Sequence, residues 1–196
     1  MESEMTKQVS SFTVQVLPAP EPVPKSLSPP PRGFFMAQIG LRILAIAFTL
    51  AAICIIVTSA QTVTIFGIDM RASYTYSSAF RFKVGADAVV CACSLLSLIV
   101  VCVMNRPKSN TQNYFYTLLH DMVMMVLAIS GCAAATAIGY VGRYGQSQTG
   151  WIAICDRVGK FCDKVTLSVS LSYLAVFCLL MLTIMDAYKL KSLPTE

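Results

Sequence analysis

The sequence predicts an all-α integral membrane protein, a bundle of four membrane-spanning helices. Three observations carry that prediction. The 196 residues are 56% hydrophobic and only 13% charged, whereas soluble domains are about half apolar and about a quarter charged. The apolar residues fall into four long runs with almost no charge. None of these runs alternates polar and apolar as a membrane strand does. So little polar surface argues against a soluble globular domain, a disordered regulator or a nucleic-acid binder. The net charge of +5 is spread over several loops and forms no basic stripe for phosphates.

Residues 1–36 read as a disordered proline-rich tail. Seven of the nine prolines lie between Pro18 and Pro31, and such a segment favours extended polyproline II and buries no core. Ser28-Pro29 and the PPPR run are weak signals for phosphorylation and groove docking beside the plainer reading of a solvated spacer. The opening MESEMTKQVSSFTVQV lacks the basic-then-apolar order of a signal peptide. The membrane domain is set at 37–189 and a second short tail at 190–196. The first span covers about 37–60, with residues 43–60 free of charge, and about 20 residues suffice to cross. The second covers about 84–104, interrupted near its start by Asp87, and NRPKSN follows with loop chemistry. The third covers about 115–141 and the fourth about 165–187.

An even number of spans puts both termini on one side. The tails with the 105–113 loop hold seven Lys/Arg, and the two opposite loops also hold seven, so the positive-inside rule is nearly tied. Three features favour cytoplasmic termini. No cleavable signal is evident. The RPK loop and the Lys189/Lys191 pair abut spans. The two loop cysteines, Cys155 and Cys162, lie in the opposite 142–165 loop, as suits an oxidising compartment.

Charge inside the spans points to the candidate site. Arg42 lies about five residues into the first span and Asp121 about seven into the third. These two spans enter from the same side, so a rise of about 1.5 Å per residue gives the groups similar depth. An isolated ion in hydrocarbon is expensive, and a bidentate Arg–carboxylate pair relieves it. An Arg42–Asp121 pair is therefore expected on the cytoplasmic half. Two alternatives for Arg42 stay open: snorkelling to the headgroups or pairing with Asp186. The pair can act as a structural clamp or, with His120 beside Asp121, as a proton or ion relay. Asp87, beside Lys83, is expected at the outer interface with no buried role.

In the third span Gly131, Ala135 and Gly139 recur every four residues, a small-residue stripe for close helix packing within or between chains. Ala128, Cys132 and Thr136 form a neighbouring row. Tyr114, Tyr116, Tyr140, Tyr144, Trp151 and Tyr188 sit at span edges, where amphipathic rings belong. Six cysteines, Cys54, Cys91, Cys93, Cys102, Cys132 and Cys178, read as small apolar packing residues. Cys155 and Cys162 lie in ICDRVGKFC, where Gly159 permits a turn. They are either a disulfide or two free thiols. No catalytic motif, metal-ligand set or cofactor motif is found, and no cofactor is expected.

Together Arg42, Asp121, the following SGCAAATAIGYVGRYG, the 79–98 segment AFRFKVGADAVVCACSLLSL, and the loop residues Trp151, Cys155, Phe161 and Cys162 resemble the Casparian strip membrane domain protein-like (CASP-like) family of plants. The resemblance covers about residues 34–190. It implies a four-span plasma-membrane protein with cytoplasmic termini that forms homo- and hetero-oligomers. Founding members scaffold a membrane domain that acts as a diffusion barrier and directs local cell-wall modification. The family's Arg and Asp fall on Arg42 and Asp121, and its loop cysteines on Cys155 and Cys162. The first outer loop, TVTIFGIDMRASYTYSSAF, is unlike that of the founding members, which implies a non-founding relative. The expected function is thus a non-catalytic, self-associating scaffold, with the bilayer, family members and wall-modifying proteins as partners. The alternative is a small proton- or ion-coupled transporter or channel using Asp121 and His120.

Overall fold

A computed structural model describes residues 32–65, 68–103 and 111–192. The proline-rich segment with Ser28, most of the RPK loop and the last four residues lie outside the described residues. Four helices carry the fold: α1 (Arg32–Val57), α2 (Ser78–Val103), α3 (Thr111–Tyr144) and α4 (Gly159–Ser192). Each contains a stretch long and apolar enough to cross a membrane. They close a ring in which α1 packs on α2, α2 on α3, α3 on α4, and α4 back on α1. The chain is therefore an all-α membrane four-helix bundle.

The helices outrun the apolar runs that announce them. At about 1.5 Å per residue, a helix of α4's length is about 51 Å long against a hydrocarbon core of about 30 Å. Its first turns carry Lys160, Asp163 and Lys164, all exposed, and its last carries Lys189 and Lys191. A hydropathy run marks the hydrocarbon, but backbone hydrogen bonding continues the helix through the headgroup layer. At the start of α2 this matters most, because Lys83 lies inside the helix and not in a loop.

The bundle has an apolar outside and a partly charged inside. Leu96 and Val126 are 63% and 59% exposed, while Arg42 and Lys83 are 1% and 0% exposed. Lipid is as apolar as leucine, so burial between these helices is driven by packing and polar contacts. One apolar cluster (Ala45, Val90, Ala128, Cys132, Val176, Cys178, Leu179 and Leu182) fills the middle. A second (Ile56, Phe80, Ala135, Val165 and Val169) closes the end that bears the long loops.

That end carries an unexpected element. Strands β1 (Ala60–Ile65) and β2 (Ile68–Ser73) pair antiparallel, Ala60 facing Ser73 and Ile65 facing Ile68. The β-branched run TVTI suits such a ladder. The hairpin is tied to α4 by Phe161 N donating to Gln61 Oε1 at 3.1 Å, and the Phe161 ring meets Phe80 edge-on at 6.2 Å.

The small-residue stripe of α3 divides between environments. A Cβ on Gly131 would lie 3.1 Å from Ala86 Cβ and 3.4 Å from Lys83 Cα, so this glycine lets α3 approach α2. Ala135 is fully buried under the second cluster. Gly139 is half-buried, and a Cβ there would meet nothing within 4 Å. Gly131→Val is expected to cost about 1–3 kcal/mol, the usual penalty of overpacking. Gly139→Val is expected to leave the bundle's stability unchanged. Thermal unfolding of both variants in lipid nanodiscs reads the difference.

Candidate functional site: two layers of buried charge

The interior holds two polar layers, one above and one below the central apolar cluster. The first lies toward the end bearing the chain termini. Arg42, on α1, reaches across the bundle to Asp121 on α3. Nη1 donates to Oδ1 at 3.0 Å and Nη2 to Oδ2 at 2.7 Å, a bidentate pair. Both residues are 1% exposed. Nη1 also donates to Ser97 Oγ on α2 at 2.8 Å. Asp186, on α4, stands 3.9 Å from Arg42 Nη2 through its Oδ2, and its Oδ1 accepts from Gln38 Nε2. One guanidinium thus gathers residues from all four helices. Of the alternatives open for Arg42, snorkelling is overturned by its burial. Asp186 joins as a second carboxylate beside the tighter Asp121 partner.

The local sequence explains the convergence. Arg42 lies ten residues after Arg32, the start of α1, and Asp121 ten residues after Thr111, the start of α3. The two helices run the same way, so equal offsets give equal height. Gln38 is one helical turn before Arg42 on the same face.

The second layer corrects the expectation for Asp87. It is 1% exposed and Lys83 is fully buried, so neither sits at the interface. Lys83 Nζ, on α2, donates to Asp87 Oδ2 at 2.7 Å and to Ser168 Oγ and Ser172 Oγ on α4, each at 3.0 Å. These three bonds use all three ammonium donors. Ser172 Oγ donates to Asp87 Oδ2 at 2.8 Å, and Ser168 Oγ donates to the Ala52 carbonyl of α1 at 2.7 Å. Two spacings in the sequence signal this network. Lys83/Asp87 and Ser168/Ser172 are both i,i+4 pairs, each a polar row on one helix face. Lys83 lies one residue outside the apolar run that starts at 84, so hydropathy alone leaves the first row unmarked.

The layers divide the work. Arg42–Asp121 joins the diagonal α1/α3, and Lys83 with Ser168 and Ser172 joins the diagonal α2/α4. Ring neighbours touch through packed side chains and a few further polar bonds, such as Arg42 to Ser97 and Ser168 to the Ala52 carbonyl, whereas the diagonals are bridged by the long charged groups. From Asp121 to Gly131, which abuts Lys83, is ten residues of α3, about 15 Å along the axis. The central apolar cluster fills that interval.

His120 does not join the first layer. It is half-buried, its Nε2 has no hydrogen-bond partner, and it lines a groove of about 340 Å³ between α2 and α3 with Ser97, Tyr116 and Thr117. Among the described residues no group of three or more His, Cys, Asp or Glu is arranged to hold a metal ion. At the loop-bearing end Cys155 and Cys162 form a disulfide with Cα atoms 5.8 Å apart. That separation lies within the range a disulfide spans. The six other cysteines are free thiols.

A bundle of four membrane helices, fastened inside by charge and finished at one end by a disulfide-closed loop, defines a class of multi-pass membrane protein. Residues 31–178 match the family model of the Casparian strip membrane protein domain, and the chain belongs to that CASP-like family of plants. It is 58% identical over 164 residues to CASP-like protein 1F2 of Ricinus communis, covering 83% of this chain and 82% of that one. It is 53% identical over 164 residues to CASP-like protein 1F2 of Vitis vinifera, covering 84% and 86%. CASP-like protein 1F1 of Arabidopsis thaliana is 36% identical over 150 residues, covering 76% and 86%. No solved structure matches the chain.

Proposed function

We propose that this protein is a non-catalytic scaffold of the plasma membrane, self-associating and pairing with family members to organise a membrane region and its cell-wall neighbourhood. The observation that carries this reading is the disposition of the buried charge. The polar layers tie helices of one chain together, and an apolar layer separates them. A relay through the membrane needs ionisable groups along its path. Here the central interval holds the apolar cluster and two buried hydroxyl residues, Thr49, bonded to its own helix backbone, and Ser94, but among the described residues no charged side chain. This favours the scaffold over a transporter using Asp121 and His120.

The termini are assigned to the cytoplasm and the disulfide-bearing loop to the wall side. Lys189 and Lys191 at the close of α4 suit the cytoplasmic face, and a disulfide at the opposite end suits an oxidising compartment. Fluorescence recovery after photobleaching of the tagged protein in plant cells tests the scaffold. The expected result is patches that recover far more slowly than a single-chain membrane marker. A uniform signal recovering as fast as the marker refutes the proposal. Flux through the reconstituted protein, abolished by Asp121→Asn, would establish the transporter instead.

A further inference from the structure

Fourteen residues, 145–158, connect α3 to α4. They do not stand away from the bundle. Gly145, at φ +69°, donates its N–H to Val141 O at 2.8 Å and turns the chain. Gln146 and Trp151 then pair across a bridge, with N–H to O distances of 2.9 and 3.1 Å. A Cβ on Gly145 would lie 2.8 Å from Trp151 O, so glycine's freedom is needed twice, for the φ and for the close approach. Ile154 N and Cys155 N both donate to Gly142 O, at 2.9 and 3.1 Å. Gly142 lies within the apolar stretch Phe115–Tyr144. The loop therefore doubles back onto the C-terminal end of α3, where Ile154 and Cys155 cap the Gly142 carbonyl, and the Cys155–Cys162 disulfide holds it against the start of α4.

The returning segment presents apolar groups outward. Trp151, Ile152 and Ile154 are 60%, 83% and 53% exposed. On α3 nearby the exposed rings of Tyr140 and Tyr144 lie 4.8 Å apart. Arg143, Arg157, Lys160 and Lys164 are exposed at the same end, with Asp156 and Asp163 among them, an excess of positive charge. An exposed cluster of large apolar residues marks a contact surface. Tryptophan and tyrosine beside basic groups, at the height where a span ends, suit the headgroup layer of a bilayer.

We propose that this disulfide-closed loop is a lipid-binding surface, with Trp151, Ile152 and Ile154 inserted into the headgroup region of the leaflet at its own end. Height and charge select lipid over a soluble protein partner. The segment is folded back onto the end of a membrane helix, at the height of the headgroup layer, and the cations beside it match lipid phosphates. The inference rests on the membrane fold and not on the scaffold reading.

Trp151 is the only tryptophan in the chain, so its fluorescence reports its own surroundings. The test uses the full-length, disulfide-intact protein in phosphatidylcholine nanodiscs, where both faces meet solvent. The expected result is blue-shifted emission, severalfold stronger quenching by lipid brominated near the carbonyl than near the chain end, and little quenching by iodide. Emission like that of tryptophan in water, quenched by iodide, overturns the proposal. Exclusion of both quenchers also overturns it, since a protein surface then covers the loop. Ile152→Asp puts a charge on the most exposed of the three residues. It is expected to lose at least half of the lipid quenching while helix content and non-reducing mobility stay unchanged. Quenching that persists in that variant equally refutes insertion.

Discussion

Asp121→Ala is expected to destabilise the bundle by about 3–5 kcal/mol, the usual result of removing one partner from a buried ion pair. Arg42 would lose both bonds of its bidentate contact and keep Ser97 and the more distant Asp186. The freed guanidinium cannot reach water at 1% exposure. Unfolding in nanodiscs and trafficking of the tagged protein in cells should both register the loss. Exchanging the charges, Arg42→Asp with Asp121→Arg, is expected to rescue only in part. The exchange places Asp at 42 beside Asp186, so two carboxylates on α1 and α4 would face each other. Adding Asp186→Asn to the exchange should improve the rescue. A normally folded, normally trafficked Asp121→Ala protein would show that the pair is not a clamp.

The second large effect is expected at Lys83 and Asp87. Asp87→Ala alone leaves a fully buried ammonium with two serine hydroxyls, at a cost of about 3–5 kcal/mol. Lys83→Met alone leaves a buried carboxylate with the Ser172 hydroxyl, at a similar cost. The double variant Lys83→Met/Asp87→Leu removes both charges and is expected to recover most of the loss, because apolar replacement of a whole buried pair is often neutral. A double-mutant cycle in nanodiscs measures this coupling. Additive losses in the double variant would mean that the two residues act separately. The contrast between single and double variants distinguishes buried pairing from an interfacial role, in which every variant would be mild.

Much of this architecture can be read from the sequence, for a definite reason. Four apolar runs specify four spans, since a bilayer requires every backbone polar group to be bonded internally and runs this long without alternation do so as helices. The depth argument brings Arg42 to Asp121 because both lie equally far along helices entering from one side. The cysteines of ICDRVGKFC admit two states by sequence, and the structure pairs them. Lys83 and Asp87 escape the same reasoning because the hydropathy run begins at residue 84, whereas α2 begins at Ser78. A lysine one position outside an apolar run looks solvated until the helix is known to continue past it. Gln38 and Ser97 carry no charge and leave no mark in an apolar stretch. Gln38 takes its role from the α1 face it shares with Arg42, and Ser97 takes its role from the way α2 packs against α1.

The sequence alone determines the class of protein, the number of spans and the family. These depend on local hydropathy and on motifs kept in order along the chain. Only the tertiary structure decides which diagonals are bridged, that Asp87 is internal, that Gly131 packs while Gly139 does not, and that the last loop folds back onto the end of α3. Each of these depends on how a helix is rotated about its axis and where it ends. Rotation and termination are set by neighbours distant in sequence, such as Ser168 for Lys83 and Gly142 for Ile154, and no local pattern encodes them.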